Sequence, residues 1–143
     1  YMKNNKLLIE YEYNFDLIGI ISPAREYKLA WSLNQVLKSG LVKQKDIILE
    51  LTDNRSLIIS NFIERKHYGF IQLLKNRSFA PDSRVDYLLP ELRQFDFFLL
   101  IQDETETIDI IEIVQTLASN NEIQSVVKID IDKVKSKENL LTY

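Results

Sequence analysis

Residues 95–101 read Phe-Asp-Phe-Phe-Leu-Leu-Ile and form an apolar run of strand length. A strand that is apolar at consecutive positions is typical of the interior of a sheet, where both of its faces are covered. The run therefore predicts a central strand. The segments before and after it must supply its neighbours and the elements that pack on it.

A helix is predicted over residues 22–39. The Ser22 hydroxyl can accept hydrogen bonds from free backbone N–H groups of the first turn, and Pro23 suits the first helical position. Tyr27 and Trp31 fall at helical spacing along this segment. They could line a pocket, but large aromatic residues of an amphipathic helix are usually buried, so we expect both in the core.

A second helix is predicted over residues 103–118. Asp103 and Glu106 have the spacing of a capping box, in which the two side chains accept hydrogen bonds from backbone N–H groups at the start of a helix. Carboxylates in the first turns also suit the positive end of the helix dipole.

The other regular patterns are typical of strands. Between residues 46 and 75 they predict an antiparallel meander. Residues 15–21 form an apolar run that fits a strand or a short helix, because periodicity does not separate the two at this length. The predicted strands, besides the central one, cover residues 6–13, 46–52, 57–64, 68–75 and 124–131.

This order of elements predicts a single α+β domain over residues 1–143, built in two layers. We expect an antiparallel or mixed sheet of about five to six strands, with the two main helices packed on one side. Within that class, a ferredoxin-like core with extra strands is the specific topology that we expect.

Composition limits the chemistry. The chain of 143 residues has no cysteine and one histidine, His67, which excludes disulfides, thiol nucleophiles and metal sites built from several Cys or His residues. We expect no catalytic constellation, no metal and no cofactor, so binding is favoured over enzymatic activity. The sequence contains no apolar run of membrane-spanning length and no signal-peptide pattern, so we expect a cytoplasmic protein without membrane contact.

Charge is distributed unevenly. The formal net charge is -3, yet residues 94–127 contain seven acids and no lysine or arginine. The acidic part of the second predicted helix could bind a basic surface of a protein partner, although a solvated helix face explains the same pattern. The candidate partner-binding residues are Asp103, Glu104, Glu106 and Asp109.

The segment Arg65-Lys66-His67-Tyr68-Gly69-Phe70-Ile71 partly matches the RNP1 pattern of RNA-recognition domains. Aromatic side chains on an open sheet can stack on bases while basic side chains bind phosphates. Alternating aromatic residues are also typical of a strand that is half buried. The candidate RNA-binding residues, within residues 65–73, are Arg65, Lys66, Tyr68 and Phe70.

Four segments form an ordered set: Leu17-Ile18-Gly19-Ile20, Tyr27-Lys28-Leu29-Ala30-Trp31-Ser32-Leu33-Asn34, Leu89-Pro90-Glu91 followed by Asp96-Phe97-Phe98-Leu99, and Lys135-Ser136-Lys137-Glu138-Asn139-Leu140-Leu141. The set resembles the IPExxxDY family of uncharacterised bacterial proteins, found in Bacteroidota, and spans nearly the whole chain. Leu89 stands where the family has Ile, and Phe97 where it has Tyr. The resemblance implies a cytoplasmic bacterial protein with no assigned activity.

The family motif falls on Leu89, Pro90, Glu91, Asp96 and Phe97. Glu91 and Asp96 could form a carboxylate pair with divided acid and base roles. The alternative is local: Pro90 begins a helical turn with Glu91 near its N-terminus, and Asp96 begins a strand and caps a backbone group. We expect the local role.

These observations favour a protein-interaction or accessory module without catalysis, whose protein partner the sequence does not identify. The alternative is an RNA-binding protein that uses residues 65–73. Residues 134–143 are basic and then apolar, so they either pack on the domain or bind a partner. The sequence leaves the oligomeric state open.

Overall fold

A computed structural model describes residues 13–51, 54–79 and 85–141. The strand predicted over residues 6–13 lies outside these residues except for Tyr13. Within them the elements follow in the order β1 (Asp16–Ile21), α1 (Glu26–Leu37), β2 (Val42–Lys43), β3 (Ile47–Glu50), β4 (Ser56–Ile59), β5 (Asn61–Lys66), β6 (Gly69–Lys75), β7 (Phe97–Asp103), α2 (Ile110–Ala118) and β8 (Ser125–Ile129).

Six of these strands form one antiparallel sheet in the order β2-β5-β6-β7-β1-β8, and β3 and β4 form a separate hairpin. β7 lies between β6 and β1, which confirms the prediction of a central strand. The undecided run over residues 15–21 is a strand, because its backbone pairs with β7 on one side and with β8 on the other. The α+β class with two main helices is confirmed as well.

The connections match a ferredoxin-like core. The elements β1, α1, β6, β7, α2 and β8 give the β-α-β-β-α-β order, and the four strands lie side by side as β6-β7-β1-β8. The residues between α1 and β6 extend the sheet with β5 and β2 and also supply the β3–β4 hairpin. This is the core with extra strands that the sequence predicts.

β7 is buried on both faces of the sheet. Phe97, Leu99 and Ile101 pack with the helices, and Phe98 and Leu100 pack on the opposite face. Each of the five side chains is at most 1 % exposed. Because full burial of a large apolar side chain contributes ~1.5–3 kcal/mol, this strand is a major source of the stability of the domain.

Three segments cover the sheet on the face opposite the helices. The β3–β4 hairpin contributes Leu57, the segment before β7 contributes Leu88, and residues 134–141 contribute Leu140. The predicted two layers therefore describe the helices and the sheet, and these segments add a further layer. Asn139 Nδ2 donates a hydrogen bond to the Leu88 carbonyl oxygen at 2.9 Å, and Leu140 is 2 % exposed. Residues 134–141 thus pack on the domain.

The strand predicted over residues 57–64 divides at Ser60 into β4 and β5. β4 belongs to the hairpin and β5 to the six-stranded sheet, so the chain passes between layers at this residue. Ile59 packs in the cluster opposite the helices, whereas Phe62 packs with the helices. The apolar pattern continues from β4 into β5, because both strands bury side chains. The sequence therefore does not show the division, which depends on the packing between layers.

α1 begins four residues later than the sequence predicts. The Ser22 hydroxyl accepts a hydrogen bond from the Ala24 N–H at 3.1 Å and donates one to the carbonyl oxygen of Glu122. These bonds form a turn that ties the segment before the helix to the loop before β8, and the helix starts after it. It ends at Leu37, because Lys38 has a left-handed φ of 54°.

The predicted start of the second helix at Asp103 is wrong. Asp103 is the last residue of β7, and Glu106 has a φ of 54°, so the predicted capping box is not formed. α2 begins at Ile110, and the Asp109 side chain accepts hydrogen bonds from two N–H groups of its first turn at 3.1 and 3.3 Å. Asp109 is therefore the residue that caps this helix.

Asn76, which directly follows β6, has a fully buried side chain. Its amide nitrogen donates hydrogen bonds to the carbonyl oxygens of Leu92 and Phe95 at 3.1 and 3.0 Å, and its side-chain oxygen accepts one from the Leu89 N–H at 2.9 Å. A buried polar group without a partner costs ~1–3 kcal/mol. This side chain therefore fixes the segment before β7 against the sheet.

Replacing Asn76 with Ala is expected to lower the free energy of unfolding by about 3 kcal/mol, because the buried Phe95 carbonyl and Leu89 N–H lose their partner and the Leu92 carbonyl loses one of two. Urea unfolding followed by circular dichroism measures the change. The matched control is Asn121→Ala at an exposed asparagine, which should change the free energy by less than ~0.5 kcal/mol. Equal stability of the two variants would contradict the role given to Asn76.

Candidate functional site

The two carboxylates of the family motif bind different segments of the chain. Glu91 lies in the 3₁₀ turn Pro90–Leu92 and accepts hydrogen bonds from the backbone N–H and the hydroxyl of Ser136, each at 2.8 Å. Asp96 accepts one from the Ser22 N–H at 2.8 Å. Partial burial on its own raises the pKa of Glu91, but the bonds from Ser136 and neighbouring N–H groups hold that pKa below its usual value. Both carboxylates bind backbone N–H groups, but of residues 45 and 74 positions away in the sequence, so the expected local capping is not what they do.

The segments that carry the family resemblance contact one another. Gly19 in β1 approaches the Phe95 ring so closely that a Cβ atom would lie 2.7 Å from it. Leu89 and Phe97 are buried in the clusters on opposite faces of the sheet. Glu91, through its bonds to Ser136, links the turn before β7 to the segment that follows β8. The motif residues thus hold together segments that are far apart in the sequence.

The candidate RNA-binding residues do not share one surface. Arg65 lines a cavity on the hairpin side of the sheet, whereas Lys66 lines a cavity on the helix side. Tyr68 lies in the turn between β5 and β6 and is 47 % exposed. Phe70 is half-buried opposite the helices, its ring centroid 6.5 Å from that of Phe15. These residues therefore do not form an open platform of adjacent aromatic rings.

The candidate partner-binding acids also have separate roles. The Asp103 side chain accepts hydrogen bonds from three N–H groups of the following loop at 2.9–3.1 Å. The bond donated by the Thr105 hydroxyl is the largest influence on this carboxyl, and together with the backbone bonds it lowers the pKa of Asp103 to about 2. Asp109 caps α2. Glu104 and Glu106 are exposed in the loop between them.

A cavity of about 370 Å³ lies between α1, α2 and the β5–β6 hairpin. Its charged lining residues are Lys66, from the candidate RNA-binding set, Asp109, from the candidate partner-binding set, and Glu112. The remaining lining side chains are apolar or carry hydroxyl groups. Within the described ranges, no group of three or more His, Asp or Glu residues is placed to hold a metal ion.

Tyr27 and Trp31 on α1 are each 64 % exposed, so the prediction that both lie in the core is wrong. A helix turns by about 100° per residue, which places them roughly opposite Leu29 and Leu33, the fully buried side chains of α1. The two rings are one helical turn apart and point away from the sheet. We call the outer surface of α1 around them the aromatic face.

Basic residues surround the aromatic face. Arg25 and Lys28 are exposed at the N-terminal end of α1, and the Lys28 ammonium group lies 3.5 Å from the Glu122 carboxylate. Glu26 is the one acid within α1, and its carboxylate lies 3.3 Å from the Lys75 ammonium group. The surface therefore combines two exposed rings with net positive charge.

Comparison of the chain with family models, with curated proteins and with solved structures gives no match. The resemblance to the IPExxxDY family and the cytoplasmic location stay predictions. In the part of the chain that the structure describes, no helix is both long and apolar enough to cross a membrane.

Replacing Asp103 with Ala is expected to destabilise the protein at neutral pH, with a difference from wild type that shrinks as the pH falls. The pKa of about 2 in the folded protein lies below the ordinary value of 3.8. The ionised carboxylate therefore stabilises the folded state above ~pH 4, and this contribution is lost as the pH falls through the folded-state pKa.

Urea unfolding between neutral pH and the lowest pH at which the protein folds measures this difference. Glu104→Ala, at the exposed neighbouring acid, is the control and should match wild type throughout the series. A difference between wild type and Asp103→Ala that stays constant with pH would contradict the argument.

Proposed function

We propose that the protein is a protein-interaction module without catalysis and that the aromatic face of α1 binds its partner. The observation that carries this proposal is the exposure of Tyr27 and Trp31, each 64 % accessible, one turn apart on a helix. Tyr and Trp are enriched among the residues that dominate binding energy, because they bury much apolar area and lose little conformational freedom.

The position of the two rings supports binding over a purely structural role. The buried side of α1 is already complete, with Leu29, Ala30 and Leu33 packed in the core. Tyr27 and Trp31 lie outside the clusters of buried residues and of the side chains packed against them. Removing these rings leaves the core intact, so their exposed area is available to a partner.

The carboxylates considered for catalysis support the same proposal. Glu91 and Asp96 each accept a hydrogen bond from a backbone N–H group. Side chains engaged in this way stabilise the fold, and acid–base chemistry would compete with that role. RNA binding through residues 65–73 stays a prediction, for which the exposed Tyr68 and its basic neighbours are the remaining support.

The proposal is tested by affinity purification from a native lysate, with wild type compared with the double variant Tyr27→Ala, Trp31→Ala. The wild type is expected to capture a protein that the double variant loses, because the exposed rings supply the apolar contact. Half of each lysate is treated with ribonuclease. Binding that survives this treatment excludes RNA as the link.

Phe79→Ala is the matched control, because Phe79 is a 52 % exposed aromatic residue outside α1. Phe79→Ala should retain the captured protein, and thermal unfolding should show that all variants fold. Capture that is unchanged in the double variant, or that disappears only after ribonuclease treatment, would overturn the proposal.

A further inference from the structure

We propose that the partner of the aromatic face is a second copy of this chain. In the dimer, α1 of one copy packs over α2 of the other copy and over the acidic loop that precedes that helix. This inference rests on the proposed function and names the partner. It is carried by the distribution of charge and exposed apolar side chains over the helix layer.

The two helices lie side by side in opposite directions. Near the N-terminal end of α1, the Lys28 ammonium group is 3.5 Å from the Glu122 carboxylate, just beyond the C-terminus of α2. One turn later, Asn120 Nδ2 donates a hydrogen bond to the Ser32 hydroxyl at 3.0 Å. At the other end, Leu37 lines the same cavity as the residues that begin α2. The aromatic face and the start of α2 therefore occupy diagonally opposite corners of one layer.

These two corners carry opposite charge. Arg25 and Lys28 are the exposed cations at the aromatic corner, where Glu26 is paired with Lys75 and Lys28 lies 3.5 Å from Glu122. The start of α2 and the loop before it contain acids and no basic residue, because residues 94–127 contain no lysine or arginine. The exposed acids there outnumber Lys38 and Lys66, the two lysines beside this corner. The exposed acids there are Glu104, Glu106, Asp109 and Glu112.

The acidic corner also exposes an apolar side chain. Ile111 in the first turn of α2 is 67 % exposed, the highest exposure among the large apolar side chains that the structure describes. It lies between Asp109 and Glu112, just as Tyr27 and Trp31 lie among basic residues. Each corner thus has an apolar centre and a charged surround, and the two surrounds have opposite sign.

A two-fold axis in the plane of the contact brings each corner of one copy onto the opposite corner of the other. Symmetric dimers use the same patch on both subunits, so a patch with two complementary corners forms the same corner-to-corner contact twice. Tyr27 and Trp31 then contact Ile111 of the second copy, and the cations of α1 face the acids of its α2. Complementary charge fixes the register and disfavours the arrangement in which α1 meets α1.

The expected association is weak and sensitive to salt. α1 and α2 have 12 and 9 residues, which correspond to lengths of about 18 and 14 Å, and each helix is ~10–12 Å across. A layer of this size is at the small end of specific interfaces, so we expect a reversible dimer with a dissociation constant in the micromolar range or weaker. Its exposed charge pairs are screened by salt.

Sedimentation equilibrium of the purified full chain, from micromolar to several hundred micromolar protein at low and high salt, tests the inference. Wild type is expected to dimerise at low salt and to dissociate at high salt. Trp31→Ala should raise the dissociation constant about tenfold or more, and Phe79→Ala should leave it unchanged. Wild type that is monomeric at every concentration, or a dimer unaffected by Trp31→Ala, would overturn the inference.

A charge exchange identifies the two corners. Arg25→Glu with Lys28→Glu makes both corners acidic, and Glu106→Lys with Glu112→Lys makes both basic. Each double variant alone should be monomeric, whereas an equal mixture should dimerise, because every contact between the two variants pairs opposite charges. A mixture that stays monomeric where wild type dimerises would overturn the assignment of the corners.

These outcomes are distinguishable from failure of the proposed function. Suppose that wild type is monomeric, and that it captures a different protein which the Tyr27→Ala, Trp31→Ala variant loses. This result would overturn the second copy as partner and support the aromatic face as a binding surface. If the variants retain both the captured protein and the dimer, the proposed function and the second copy as partner are both overturned.

Discussion

The burial of β7 on both faces is the constraint on which the rest of the structure depends. Five consecutive side chains, from Phe97 to Ile101, are at most 1 % exposed, so a sheet with helices on one side alone would leave Phe98 and Leu100 in water. Three segments cover these two side chains on the other face: the β3–β4 hairpin, the segment held by Asn76, and residues 134–141. Glu91 joins two of these covering segments through its bond to Ser136, and Asp96 joins the residues before β7 to the turn between β1 and α1 through its bond to Ser22.

Sequence patterns predict the elements that depend on local chemistry and miss those that depend on tertiary contacts. The run at residues 95–101 identifies the central strand, since continuous apolarity has one simple explanation in a sheet. The start of α2 is missed because Asp103 and Glu106 have the spacing of a capping box. In the structure, the Asp103 carboxylate instead accepts hydrogen bonds from the loop that follows β7. The bonds between Glu91 and Ser136 join residues 45 positions apart, and no local pattern contains them.

The aromatic face is a second case in which the chemistry of single residues does not predict their tertiary contacts. Tyr27 and Trp31 are predicted to be buried because their chemistry is that of core residues, yet α1 has only one side that faces the sheet, and Leu29 and Leu33 occupy it. A signal was present in the sequence: at helical spacing the two rings share their side with Gln35 and Lys38, which are exposed. Neighbours on the same helix face are therefore a better guide to burial than the apolar character of a single residue.

The position of β1 in the sheet also affects how the protein can fold during synthesis. β1 pairs with β7 and β8, whose residues follow it by about 75 to 110 positions in the chain, and its outer cover includes residues 134–140. A ribosome therefore releases this apolar strand long before its partners exist, and pairing over such sequence distances is slow. Both edges of β1 therefore stay unpaired until β7 and β8 have been made, and an unpaired apolar strand edge is prone to aggregation.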